Sequence, residues 1–279
     1  MLSLKSRRSH DSWRIDKKFT IKIYFWRQME YNLKKSLGQH FLKDENVCKR
    51  IVDELLQQPF ERLLEVGPGG GALTKYLLKI PSIEFLAVEL DDEKVVFLEK
   101  AFPGIRGKII NKNFLDIDPP FDGTFTVVGN FPYNISTQIL FKVLDWKQQV
   151  PVVVGMFQKE VAERAASKEG SKVYGVLSVL VQAFYNVEYL FDVDPSCFNP
   201  PPKVMSGVIR LTRRSDVLEM KSEKAFFNLV KTAFNQRRKT LRNAVKSLFT
   251  AQELKDELFN KRAEVLSVEE FAALTFRMN

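Results

Sequence analysis

The chain has 279 residues, 45% of them hydrophobic, and a formal net charge of +9, enough for a substantial core in one large domain plus a smaller appendage. No run of eighteen apolar residues occurs, which excludes an ordinary membrane-spanning helix. Two cysteines (Cys48, Cys197) and two histidines (His10, His40) leave no disulfide framework and no His-based metal site, and they read as those of a cytoplasmic protein without membrane or metal partners.

Residues 1–28 are basic and aromatic without a helical or strand period, and they lack the continuous apolar core of a secretory signal. They are expected to be a non-native or disordered extension, with Met29 as the initiator and a basic RNA-binding arm as the alternative. A glycine-containing loop, Lys34 to Leu42, follows. Asp44 is expected to cap a helix running through Leu56, because Val47, Ile51, Val52, Leu55 and Leu56 recur at helical spacing. Leu63–Val66 predicts a short buried strand entering Gly67-Pro68-Gly69-Gly70-Gly71, with a helix over 72–78. A second strand is expected from Ile83 to Leu90, a helix from Asp92 to Ala101, and further strands at 108–110, 125–128 and 150–157. Strands alternating with helices of this length imply a mostly parallel, helix-covered α/β sheet.

Val173–Tyr185 predicts a long apolar helix, and 187–193 and 204–211 two more strands. Beyond Arg214 the pattern is wholly helical, with two amphipathic helices marked by Phe226, Phe227, Val230, Phe234, Leu241, Val245 and Leu248, and a third over 268–276. The expected organisation is therefore the extension 1–28, an α/β domain 29–213 and a helical domain 214–279. Charge follows this division. Residues 1–43 hold eleven Lys/Arg against three Asp/Glu, and residues 203–246 twelve against three. Basic segments flanking a more acidic body suit a polyanion, with a solvated charged face as the plain alternative.

Glycines between a strand and a helix let a ligand approach the backbone at a helix N-terminus. Glu89, twenty-two residues after Gly67, stands where an acidic side chain accepts from both hydroxyls of a ribose. The combination fits NAD or S-adenosylmethionine, and the Gly-x-Gly-Gly-Gly form preceded by Glu65 leans to the methyl donor. The β-branched run at Thr126 delivers the chain to Asn130-Phe131-Pro132-Tyr133, with Ser136 or Thr137 expected to cap the next helix. Such a turn offers a side-chain amide, a carbonyl outside any regular ladder and an aromatic face, which together suit a planar substrate bearing an amino group.

The segments 64–74 and 130–137, with Ser36–Leu42, Phe198–Ser206 and Phe234–Asn243, resemble the small-subunit (16S) ribosomal RNA adenine N6,N6-dimethyltransferase family, in order from about residue 33 to the end. The resemblance implies a class I methyltransferase: a Rossmann-like, mostly parallel seven-stranded sheet with a small C-terminal all-α domain. It implies a monomer that transfers methyl groups from S-adenosyl-L-methionine to two adjacent adenines near the 3′ end of small-subunit rRNA in a pre-ribosomal particle.

By the same resemblance His40 and Leu42 cover the methyl donor, Gly67 lies beneath its methionine part, Glu89 binds the ribose, and the residue at 113 accepts from the donor adenine. There the family usually has aspartate and this chain has Asn113, with Asp116 as a nearby substitute. Asn130 and the Pro132 carbonyl would hold the target amine, while Tyr133 and Phe198 would stack on the extruded base. Without the resemblance, Phe198 reads as core. Lys203, Arg237, Arg238, Lys239 and Arg242 would contact RNA phosphates. Phe131 is a further departure, since leucine is common there. The competing readings are a large-subunit (23S) rRNA dimethyltransferase of the macrolide-resistance type, and an RNA-binding assembly factor weakened in catalysis.

Overall fold

A computed structural model describes residues 40–279, so the expected extension 1–28 and the loop up to Gln39 lie outside the described residues. All described residues belong to one compact unit. In chain order its elements are β1 (Phe41–Leu42), α1 (Glu45–Leu55), β2 (Arg62–Val66), α2 (Thr74–Leu77), β3 (Glu84–Val88), α3 (Asp92–Ala101), β4 (Ile109–Ile110) and β5 (Thr126–Asn130). They continue with α4 (Ser136–Asp145), β6 (Val152–Gln158), α5 (Lys159–Ala166), α6 (Val176–Gln182), β7 (Tyr185–Val193), β8 (Phe198–Asn199) and β9 (Ser206–Arg213). The helices α7 (Glu223–Asn235), α8 (Leu241–Ala244) and α9 (Val268–Leu274) complete the chain.

Seven strands form one sheet in the order β4-β3-β2-β5-β6-β9-β7. The first five pair in parallel, and β9 joins antiparallel to both β6 and β7. This is the Rossmann-like α/β architecture implied by the sequence. From β2 the chain moves outward through β3 to β4, then returns to place β5 on the other side of β2. That reversal opens a crevice beyond the carboxyl ends of β2 and β5, where ligands of open α/β sheets bind. Gly67 directly follows β2 and Asn130 ends β5, so the two sequence motifs meet there.

The parallel strands are apolar on both faces because helices cover both. Alternate residues enter different clusters: Leu64, Val127 and Val153 face α4 and α6, whereas Leu63, Val128 and Val154 face α1 and α3. Asp44 caps α1 by accepting from the amides of Asn46 (2.8 Å) and Val47 (3.0 Å), as its position predicts. Asp91 caps α3 in the same way.

Several element boundaries differ from the sequence reading. The apolar stretch 173–185 is helical only over α6, and Tyr185 already begins β7. A buried strand and a buried helix carry the same apolar composition, so periodicity did not separate them. The helix α5 was not anticipated. Ser136 does not cap α4 as an acceptor; it is the first helical residue, and its hydroxyl donates to the Pro132 (3.1 Å) and Tyr133 (3.2 Å) carbonyls. The expected boundary near Arg213 coincides with the end of β9, yet Phe226, Leu229 and Phe271 of the following helices share one apolar cluster with Leu64 and Val127 of the sheet.

Candidate active site

The glycine loop is a cradle by geometry. Gly67, Gly69 and Gly71 have φ of +69°, +53° and +78°, values that side-chain-bearing residues avoid. A Cβ on Gly69 would lie 3.3 Å from the Phe41 ring, and one on Gly71 would overlap the Phe102 ring. Phe41 therefore closes over the loop. The sequence reading missed it, although it lies between the two lid residues that were singled out.

Glu89 is buried just past β3, and burial raises its carboxyl above the usual carboxylate range. Backbone amides oppose that shift, since Oε2 accepts from Gly69 N and Oε1 from Asp91 N, both at 3.0 Å. Each oxygen keeps a lone pair for a ligand hydroxyl. Asn111 steadies the turn, its Nδ2 donating to the Glu89 carbonyl at 3.1 Å.

Glu65 on β2 is 1% exposed and has one side-chain partner among the described residues, the Thr74 hydroxyl, which donates to Oε2 at 2.7 Å. Burial pushes its pKa up to about 8, with the Glu89 charge adding to the rise and the Thr74 hydrogen bonds opposing it. The pair ties β2 to the helix beyond the glycine loop. Because the folded pKa lies above the unfolded one, the folded state holds the extra proton. Its contribution to stability is complete below the unfolded value near 4.5 and is lost as pH rises through about 8. We expect Glu65→Gln, which keeps an acceptor for Thr74, to flatten the fall in Tm between about pH 5 and pH 8. Across that window wild type should lose stability relative to the variant at up to roughly 1.4 kcal/mol per pH unit. Parallel Tm curves for the two proteins would show that Glu65 is already ionised in the fold.

On the other side of the crevice, Asn130 Nδ2 donates to the His40 carbonyl at 3.1 Å. That bond decides which way the amide faces and leaves Oδ1 without a protein donor among the described residues. His40 Nδ1 in turn donates to the Pro200 carbonyl at 3.0 Å. β1 pairs with β8, so the segment carrying His40 and Leu42 is zipped to the segment carrying Phe198.

The Pro132 carbonyl accepts from Ile135 N (3.2 Å) and lies within reach of the Ser136 hydroxyl. Ser136 has a single proton to share between two carbonyls. When it serves Tyr133, one lone pair on Pro132 is open to a substrate amine. Phe131 packs backwards, 1% exposed, into the space above Gly155 and beside Phe157 (ring centroids 4.8 Å apart). The departure from leucine at 131 is thus matched by a glycine on the neighbouring strand.

Other sequence-expected positions fall differently. The fold places the side chains of Phe198, 1% exposed, and Leu42, 5% exposed, in the second apolar cluster. Asn113 caps the short turn Phe114–Asp116, with Oδ1 accepting from Leu115 N (3.1 Å) and Nδ2 donating to Asp116 Oδ2 (2.9 Å). Its amide serves the local turn first.

The helix α7 stops at Asn235, and residues 236–240 form the turn before α8. Arg237 pairs with Glu264 (2.9 Å), and Arg242 Nε donates to the Leu254 carbonyl (2.8 Å), so both are tied into the fold. Lys203, Arg238 and Lys239 are exposed and have no ion-pair partner among the described residues. Among those residues no metal-ligating cluster exists, and no helix is long and apolar enough to cross a membrane.

Comparison with known proteins adds to this geometry. The model of the ribosomal RNA adenine dimethylase family matches residues 30–277. Proteins named ribosomal RNA small subunit methyltransferase A are similar throughout: that of Flavobacterium johnsoniae is 52% identical over 246 residues, covering 87% of this chain and 94% of its own. That of Cytophaga hutchinsonii is 53% identical over 247 residues, covering 87% and 95%. A dimethyladenosine transferase from Plasmodium falciparum shares the fold with a TM-score of 0.71 at 24% identity, covering 83% of this chain and 94% of its own. The 23S rRNA methyltransferase ErmE does so with a TM-score of 0.68 at 23% identity, covering 85% and 99%.

Proposed function

Because this chain belongs to the ribosomal RNA adenine dimethylase family, we propose that its crevice dimethylates the N6 amino groups of two adjacent adenines near the 3′ end of small-subunit (16S) rRNA, using S-adenosyl-L-methionine. The observation that carries the reading is the meeting of the glycine cradle and the Asn130–Tyr133 turn at one switch point. The names of the relatives that are about half identical point to the small subunit.

The residues present fit the donor. A loop of positive-φ glycines leaves no side chain where its methionine part would lie, with Gly67 beneath it. Glu89 presents two anchored carboxylate oxygens to ribose hydroxyls. The donor adenine would reach the Asn113–Asp116 pair, where a carboxylate and an amide oxygen stand together. When bound, S-adenosylmethionine supplies an electrophilic methyl group.

The acceptor amine needs the most help from the protein. The exocyclic nitrogen of adenine is planar because its lone pair is delocalised into the ring, so it is a weak nucleophile. Asn130 Oδ1 and the Pro132 carbonyl would accept its two hydrogens in the first transfer, and one of them the remaining hydrogen in the second, favouring a pyramidal nitrogen with an aimed lone pair. As positive charge develops on nitrogen, the same two dipoles would stabilise it, and the proton shed by the methylated amine would pass to water in the crevice, so orientation and electrostatics suffice without a dedicated base. Tyr133 would stack on the extruded adenine. Lys203, Arg238 and Lys239 would grip phosphates, leaving selection to RNA shape, and Arg237 and Arg242 would chiefly order that surface.

Labelled methyl transfer to small-subunit particles and to large-subunit RNA, with modified positions mapped, tests the reading. Two adjacent dimethyladenines in the small-subunit RNA are expected. Modification of large-subunit RNA would favour the macrolide-resistance type instead. Donor and RNA binding without transfer would make the chain an assembly factor.

A further inference from the structure

Tyr133 lies in a three-residue 3-10 turn between Pro132 and α4, a short piece of backbone that does little by itself to hold a ring in one plane. Its ring is partly exposed, and its hydroxyl is within hydrogen-bond distance of Ser206 Oγ. Ser206 is 0% exposed, and Tyr133 is the single side-chain partner of its hydroxyl among the described residues. A hydroxyl buried at the start of a strand costs stability unless it is paired, so a strand built for packing alone would carry an apolar residue there.

Ser206 is also held unusually firmly for a residue next to a loop. It pairs across from Gln158 on β6 and from Val193 on β7, so the sheet holds it on both sides. The Tyr133 ring also meets His40, with ring centroids 5.4 Å apart and planes tilted by 33°, too close for a third ring between them. One end of the phenol is thus bonded to the rigid sheet and one side rests on the lid segment.

We propose that Ser206 is a positioning residue for methyl transfer: its hydroxyl fixes the plane of Tyr133, and through it the adenine stacked there, relative to Asn130 Oδ1 and the Pro132 carbonyl. The inference rests on the methyltransferase reading above. Stacking energy tolerates rotation of a ring far better than in-line transfer does, so a loosened Tyr133 still binds RNA but presents the amine off-axis. The loss therefore falls on kcat rather than on KM or on donor affinity.

The test measures kcat and KM for methyl transfer to small-subunit particles, S-adenosylmethionine affinity and Tm for wild type, Ser206→Ala, Tyr133→Phe and the double variant. Ser206→Ala and Tyr133→Phe should each lower kcat about five- to tenfold, the scale of one hydrogen bond, with KM and donor affinity within about twofold of wild type. The double variant should lose no more than either single one, because both remove the same bond. Ser206→Thr, which keeps the hydroxyl, should recover most of kcat.

Losses that multiply in the double variant, or a Tyr133→Phe protein with wild-type kcat, overturn the proposal. If Ser206→Ala fails to fold, Tyr133→Phe alone decides between the two outcomes. A wild-type protein that transfers no methyl groups overturns the methyltransferase reading and this inference together, whereas an active wild type with multiplicative losses overturns this inference alone.

Discussion

Asn130→Ala is expected to lower kcat/KM for methyl transfer by at least about 30-fold, about 2 kcal/mol, while leaving S-adenosylmethionine affinity within about threefold of wild type. The size follows from what the side chain does only in the transition state. Oδ1 has no protein donor among the described residues, and the amide is held facing outward by its bond to the His40 carbonyl. An acceptor oriented before the reaction costs nothing to reorganise as charge develops on the amine. Alanine removes it, and water in the crevice is a poor replacement because it must reorient.

Kinetics on small-subunit particles with a separate donor titration check this. The same variant also cuts the tie to the His40 segment, so donor affinity is the discriminating measurement. A donor dissociation constant that rises in step with the loss in kcat/KM would assign Asn130 to closing the lid. Retained affinity assigns it to the amine.

The second large effect concerns a glycine that no motif marks. Gly155→Ala would place Cβ 2.0 Å from Phe131 Cε2 and 2.7 Å from Cδ2, well inside van der Waals contact. Phe131 is fully enclosed, and the neighbouring Gly129 is equally confined, since a Cβ there would meet the Val66 carbonyl at 2.5 Å. The ring has no room to yield without moving the backbone between Asn130 and Pro132. We expect Gly155→Ala to cost roughly 3 kcal/mol or more of stability and to lower activity beyond what stability explains. Adding Phe131→Leu should restore much of the lost Tm, because the smaller side chain vacates the contested space. Denaturant melts of the two single variants and the double variant measure the coupling. Additive losses would show that the clash is relieved elsewhere, and that Phe131 and Gly155 are independent.

These two predictions differ in how far each was legible in the sequence. Asn130, Pro132 and Tyr133 form a contiguous run after a β-branched strand, and the glycines and Glu89 follow a strand at readable spacing. Local order places each of them at a strand end, which is where an α/β sheet presents ligands. Chain order alone therefore determined the fold class, the crevice and most of the residues around it, and the family resemblance added the reaction.

What the sequence did not decide depends on residues distant in the chain. The match between Phe131 and Gly155 exists because β5 and β6 are neighbours, and Ser206 reaches Tyr133 only because β9 inserts antiparallel beside β6. Phe198 and Leu42 lie in one apolar cluster because β1 pairs with β8, a contact between segments more than 150 residues apart. The basic run 236–242 read as one binding face, but Glu264 claimed Arg237 and the Leu254 carbonyl claimed Arg242. Local pattern records which groups a segment offers, whereas burial and partnership are set by whichever elements the topology brings alongside. Register and long-range packing, absent from any single stretch of sequence, decided which of the offered groups remain free to act.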